Sequence, residues 1–113
     1  MENYSRTVKI YAKEIKKDKQ TFIVCSGKIG ENYYKIKFRK TCKNAPDEVG
    51  VYDLTVNLKD CSIEKGKPYI DTETKKQKIG QTTIWVEKIE DLRKYSEEEL
   101  KEISLKNLKE IFD

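Results

Sequence analysis

The sequence predicts a mainly β fold: a small five-stranded Greek-key barrel followed by a C-terminal α-helix. Three observations carry that expectation. Apolar residues recur at every second position along several stretches, the period of a strand that buries one face. Short turn-forming stretches separate most of these runs, and only the last segment shows apolar residues at helical spacing behind a capping signature. With 113 residues, 36% apolar and 39% charged, the chain has material for one modest core, and a barrel asks each strand for only one apolar face.

The first strand is read from "RTVKIYAKEIK", residues 6–16, where Val8, Ile10 and Ala12 alternate with Thr7, Lys9, Tyr11 and Lys13. "KKDKQ" marks a turn. "TFIVCSGKI", 21–29, is the second strand, apolar on both faces in its first half, with Gly27 placed to allow a bulge or a sharp coil. "GEN", 30–32, turns the chain into the third strand, "YYKIKFRK", 33–40. The fourth strand, "GVYDLTVNLKDCSIE", 50–64, sets Tyr52, Leu54, Val56 and Leu58 on one face. A long polar loop leads to the fifth, "QTTIWVEKI", 81–89.

In "SEEELKEISLKNLKEIF" Ser96 and Glu99 stand at capping-box spacing. Leu100, Ile103, Leu108 and Ile111 share a stripe that Leu105 and Phe112 broaden. The chain thus divides into a barrel, 1–95, and an amphipathic helix, 96–113, that packs on the barrel or against a second copy at a dimer interface. The strand count and the long fourth-to-fifth loop fit the oligonucleotide/oligosaccharide-binding (OB) barrel. An SH3-like barrel and an open five-stranded sheet are the competing arrangements.

Several function classes lose their footing on composition. The chain has no histidine, so triads and acid–base chemistry built on imidazole are excluded. Three cysteines, Cys25, Cys42 and Cys61, are too few for a structural zinc site and form no CxxC pair, which points to reduced thiols in a cytoplasmic protein. The polar N-terminus lacks the apolar core of a signal peptide, and no apolar run approaches the ~20 residues of a membrane span. Asp60, Glu73 and Lys75 loosely follow a nuclease metal-site pattern, but the Glu-x-Lys lacks a flanking apolar strand. A non-enzymatic protein without metal, cofactor or small-molecule substrate is expected.

Charge points to a partner. Residues 1–43 carry 12 Lys/Arg against 4 Asp/Glu, whereas residues 44–113 carry 12 against 16. A basic surface for a polyanion and a separate acidic end follow from that split. Its centre is the third strand. With Tyr34, Ile36 and Phe38 turned inward, Tyr33, Lys35, Lys37 and Arg39 project outward together, about 7 Å apart along one face. If the first strand is a neighbour, Lys9, Tyr11 and Lys13 join them. Single-strand binders combine cations that follow phosphates with rings that stack on bases. Only three of the cations are arginine, which argues against sequence-specific duplex readout.

Lys67 and Tyr69 in the long loop, with Lys65, Lys75, Lys76 and Lys78, are positioned to close over such a strand. Trp85 faces outward as a stacking platform or lies partly buried under the helix. The same tyrosines and lysines also suit an exposed sheet edge or a protein interface.

From "RTVKIYAKEIKKDKQTFIVCSGKIGENYYKIKF" through "VYDLTVNL" to "TIWVEKI", about residues 6–90, the chain resembles the small OB-fold single-stranded DNA-binding proteins of bacteriophages infecting low-GC Gram-positive bacteria. The likeness lies in pattern, strand order and composition. It implies DNA held by the outer faces of the first three strands and the fourth-to-fifth loop, which by position means Tyr11, Tyr33, Lys35, Lys37, Arg39, Lys67 and Tyr69. It also implies a homodimer in the bacterial cytoplasm, with replication or recombination proteins as further partners. The chain departs from bacterial single-strand binders in ending on a capped helix rather than a linker with an acidic tip. Single-stranded DNA, or RNA, is the expected ligand, bound with little sequence preference. A small barrel that binds or inhibits a host protein is the alternative.

Overall fold

A computed structural model describes residues 3–113. The longest strand, β1 (Ser5–Lys17), makes a tight hairpin with β2 (Gln20–Ile29). The two connecting residues, Asp18 and Lys19, both adopt the left-handed backbone, at φ 51° and 67°, whose twist matches that of the flanking strands. β3 (Asn32–Phe38) continues antiparallel to β2. The next strand, β4 (Gly50–Asn57), returns to the other side of β1.

β1 therefore pairs on both edges, with β4 along Ser5–Ala12 and with β2 along Ile10–Lys17. Gly27 sits opposite Ile10 in an unbroken ladder, so no bulge forms there. Its value is close approach instead, since an added Cβ would stand 3.2 Å from the Lys9 carbonyl.

The stretch expected as one fourth strand is two. After β4 the chain makes a short 3-10 turn, Leu58–Asp60, in which the Asn57 side chain accepts a bond from the Lys59 N–H at 2.9 Å. That local bond competes with the ladder and ends β4. Leu58 consequently leaves the buried face and is half exposed. The chain resumes as β5 (Cys61–Glu64), which pairs with β8 (Thr83–Val86) rather than β1. Between them the long loop forms its own hairpin, β6 (Pro68–Ile70) with β7 (Gln77–Ile79). Its base is pinched: a Cβ on Gly66 would collide with the Gly80 carbonyl, and the Gly80 N–H donates to the Lys67 carbonyl at 2.9 Å.

β8 lies parallel to β3, and a short unanticipated strand, β9 (Asp91–Lys94), pairs with β4. The result is a seven-stranded sheet in the order β5-β8-β3-β2-β1-β4-β9. The fold is mainly β with a C-terminal helix, and its ladders do not close into a barrel. Among the described residues no helix is long and apolar enough to cross a membrane.

One face of the sheet holds the core: Ile10, Leu54 and Val86 are fully buried, with Ile36, Tyr52 and Val56 around them. Cys25 joins this core and its thiol is pushed up to about 11 by burial, while Cys42 and Cys61 are half-buried free thiols. The helix, α1 (Glu97–Phe112), begins with both bonds of a capping box, Ser96 Oγ accepting from the Glu99 N–H and Glu99 Oε1 from the Ser96 N–H. Arg93 ties this first turn to the sheet by bonding Glu99 and Asp53, and the Tyr95 hydroxyl donates to Asp53 at 2.7 Å. Beyond that anchor no helical residue is buried.

Truncating Leu54 to Ala should cost about 2–5 kcal/mol in urea denaturation, whereas Ile70→Ala on the outlying hairpin should cost under about 0.5 kcal/mol. Arg93 holds the Glu99 carboxyl below its usual 4.5, so the anchor strengthens the fold above that pH and is lost as pH falls through the lowered value. Helical circular dichroism should accordingly fall in acid, and Glu99→Gln should reproduce the loss at neutral pH.

Candidate nucleic-acid interface

The period of two that buries Ile10, Ala12 and Ile36 sends their neighbours to the opposite face. Cross-strand register then arranges those outward residues in rows. One row runs Tyr11, Ser26, Lys35, Thr83, Glu64 across five strands, with Thr83 itself buried. Lys13 stands beside Val24, and Lys37 beside Trp85 and Ser62. At the turn end, Tyr33 pairs with Lys28, whose ammonium lies 5.6 Å from the tyrosine ring centroid.

β2 and β3 pair only as far as Cys25 and Ile36. Past that point the free arm of the β1–β2 hairpin diverges from the β3–β8 pair and leaves a groove of about 910 Å³. Lys13, Phe22 and Val24 line its hairpin side, and Lys35, Lys37 and Trp85 the other.

The expected site residues thus fall into two groups. Lys13, Lys35, Lys37 and Trp85 line the groove, and Tyr11, Tyr33 and Arg39 are exposed around it. Tyr33 is the most open of the three tyrosines expected at the site, 60% exposed. Lys9 shares this face but is half-buried, its ammonium 5.3 Å from the Tyr95 ring beside the helix anchor. Lys67 and Tyr69 belong with the β6–β7 hairpin, where Tyr69 faces Lys78, and do not line the groove. Asp60 lies in the 3-10 turn and Glu73 and Lys75 at the hairpin tip, on separate elements.

Trp85 resolves as a partly buried outer-face residue, not one covered by the helix. Its indole N–H donates to Glu64 at 2.8 Å, and the Arg39 guanidinium stacks 4.2 Å from the ring centroid with the Lys37 ammonium at 5.4 Å. The indole bond, with Lys67, Lys37 and Arg39 nearby, holds the Glu64 carboxyl below its usual value. The expected cations remain free of carboxylates: among the described residues the salt bridges are made by Lys78, Arg93 and Lys94.

Sequence reasoning missed Ile15, Phe22 and Val24, each over 40% exposed on the outer face, and Glu64. The signal for Phe22 and Val24 was present, since residues 22–24 are apolar on both faces and only one face can be inside. Chemically the surface offers aromatic and apolar side chains for flat rings and a spread of unpaired cations for an anionic backbone. No family model, curated protein or solved structure matches the chain.

Trp85 is the only tryptophan, so its fluorescence reports on this site alone. Removing both cations from its ring, Lys37→Ala with Arg39→Ala, should increase quenching by acrylamide. An unchanged quenching constant would mean that something else shields the indole.

Proposed function

We propose that this chain binds single-stranded nucleic acid, DNA in the first instance, and coats it with little sequence preference. One observation carries the reading. Exposed Lys13, Lys35, Lys37 and Arg39, none held by a carboxylate, share a face with Tyr11, Phe22, Tyr33 and Trp85. Cations spaced along strands suit phosphates, while rings between them suit bases, whose stacking is largely indifferent to sequence. The carboxylate anchor of Asp53 and Glu99 bounds this surface on the β4–β9 side and favours a path toward β3 and β8.

The strand path supports an OB-type reading. The order β4-β1-β2-β3 is that of a four-stranded Greek key. β4 and β5, separated only by the 3-10 turn, pair with β1 and β8 respectively, as one bent fourth strand bridging two parts of a barrel would. In that reading the protein shields single strands during replication or recombination in a bacterial cytoplasm. The exposed cluster of Ile15, Phe22 and Val24 favours a second reading, in which the same face holds a host protein.

Fluorescence anisotropy with oligo-dT, oligo-rU and duplex DNA at two salt concentrations separates these readings. Four phosphate contacts, one for each of Lys13, Lys35, Lys37 and Arg39, predict a log–log salt slope of about −3 for a single strand; weak binding at every salt concentration would instead favour the protein partner. Tyr33→Ala should weaken oligo-dT binding by about 1–3 kcal/mol and leave the melting temperature nearly unchanged. Glu64→Gln keeps an acceptor for the indole but removes the one carboxylate among Lys37, Arg39 and Lys67. It should tighten binding and steepen the salt dependence.

A further inference from the structure

We infer that the gap where β1 and β2 part is a binding site for a single-chain aliphatic anion, a medium-chain fatty carboxylate. The two strands pair from Ile10 and Gly27 onward, so the first residues of β1 and the last of β2 lie beyond their common ladder. There β1 stays with β4 as far as Ser5, while β2 stays with β3 as far as Ile29. The two pairs separate and leave a cavity of about 500 Å³ against the core, within the size range of small-molecule sites. Val8, Ile29, Ile36, Leu54, Val56 and Leu58 line it. Ile29 is 41% exposed although alternation sets it on the face of Cys25, and Leu58 is 45% exposed. Both therefore present apolar surface to this cavity.

Charge and polarity select the occupant. Arg6 pairs with Val56 across the ladder, so its side chain leaves β1 on the core side. Its Nη1 donates to the Asn3 and Ser5 carbonyls at 2.7 and 2.8 Å, which holds the guanidinium at the start of β1. It lines the cavity and makes no salt bridge among the described residues. Lys9 and Lys28, which alternation turns outward, line the same opening. Asp60 and Glu87 act instead on the Cys61 thiol, at the β5 wall, so an anionic head belongs at the Arg6 end. Deeper in, the side chains offer nothing to a polar ligand. Among the described residues no buried side-chain N or O lacks a hydrogen-bond partner, and the Cys61 thiol already donates to the Asn57 carbonyl at 3.5 Å. A base or a sugar would lose its bonds to water there without replacement, whereas an alkyl chain has none to lose.

Calorimetric titration of the full chain with decanoate, kept below its micelle concentration, tests this without reference to nucleic acid. Saturable binding should strengthen about three- to fourfold per methylene from octanoate to decanoate. Decyltrimethylammonium, with the same chain and the opposite charge, should bind at least about tenfold more weakly. Arg6→Ala should weaken decanoate binding roughly five- to tenfold and, at an exposed position, leave the melting temperature nearly unchanged. Alkylation by iodoacetamide, read by peptide mass mapping, locates the ligand: decanoate should slow the reaction of Cys61 and spare that of Cys42, which does not line the cavity. No saturable binding, equal binding of the cationic chain, an unaffected Arg6→Ala variant, or equal protection of both thiols overturns the inference. Oligo-dT binding by Arg6→Ala should match the parent, so failure to bind DNA and failure to bind decanoate are separate results.

Discussion

The structure depends on β1 being paired along both edges. Thirteen residues long, it gives its first part to β4 and its last to β2, and the overlap at Ile10–Ala12 lies at the centre of the core. A strand held on both sides cannot slip by one residue without turning Ile10 and Ala12 out to water and Lys9, Tyr11 and Lys13 inward. Apolar burial of about 1.5–3 kcal/mol per large side chain sets the penalty for such a slip. Burial on one side of the sheet thereby determines what the other side displays.

Electrostatics divides that displayed side in two. Near β4, β9 and the start of α1, carboxylates are tied to a cation: Asp53 and Glu99 both bond Arg93. Across β2 and β3 Lys28, Lys37 and Arg39 have aromatic neighbours instead, and with Lys13 and Lys35 they make no salt bridge among the described residues. Glu64 is the exception, a carboxylate hydrogen-bonded to Trp85 at the far end of the basic region. The charge imbalance between residues 1–43 and 44–113 is thus also a spatial division, because the first three strands are contiguous in the sheet.

The alternating segments around Ile10, Ile36 and Leu54 were legible in the sequence, as were the Gly30–Glu31 turn and the Ser96–Glu99 cap. Each is encoded by residues a few positions apart. The break after Asn57 was not, although its agent is local, because an asparagine inside an apolar alternation reads as an outward strand residue until its side chain is seen to bond the Lys59 N–H. β9 escaped notice for a different reason: "DLRK" has one apolar residue, and its strand character comes from the waiting edge of β4. At the candidate site Tyr33, Lys35, Lys37 and Arg39 followed from period two alone. Trp85, between Ile84 and Val86, was set outward by the same alternation, whereas Phe22 was passed over although its run is apolar on both sides.

By itself the sequence determined which residues of a strand share a face, because that depends on a two-residue repeat and on the aversion of charge to burial. It also determined the absence of imidazole chemistry and the excess of cations in the first three strands. Only the tertiary structure decided which strands are neighbours, that the Lys67–Tyr69 hairpin stands apart from the groove, and that the helix finds no berth on its own sheet. Those outcomes depend on contacts between residues far apart in the chain, whose free energies are set by the fit of whole surfaces and leave no short-range trace in the order of amino acids.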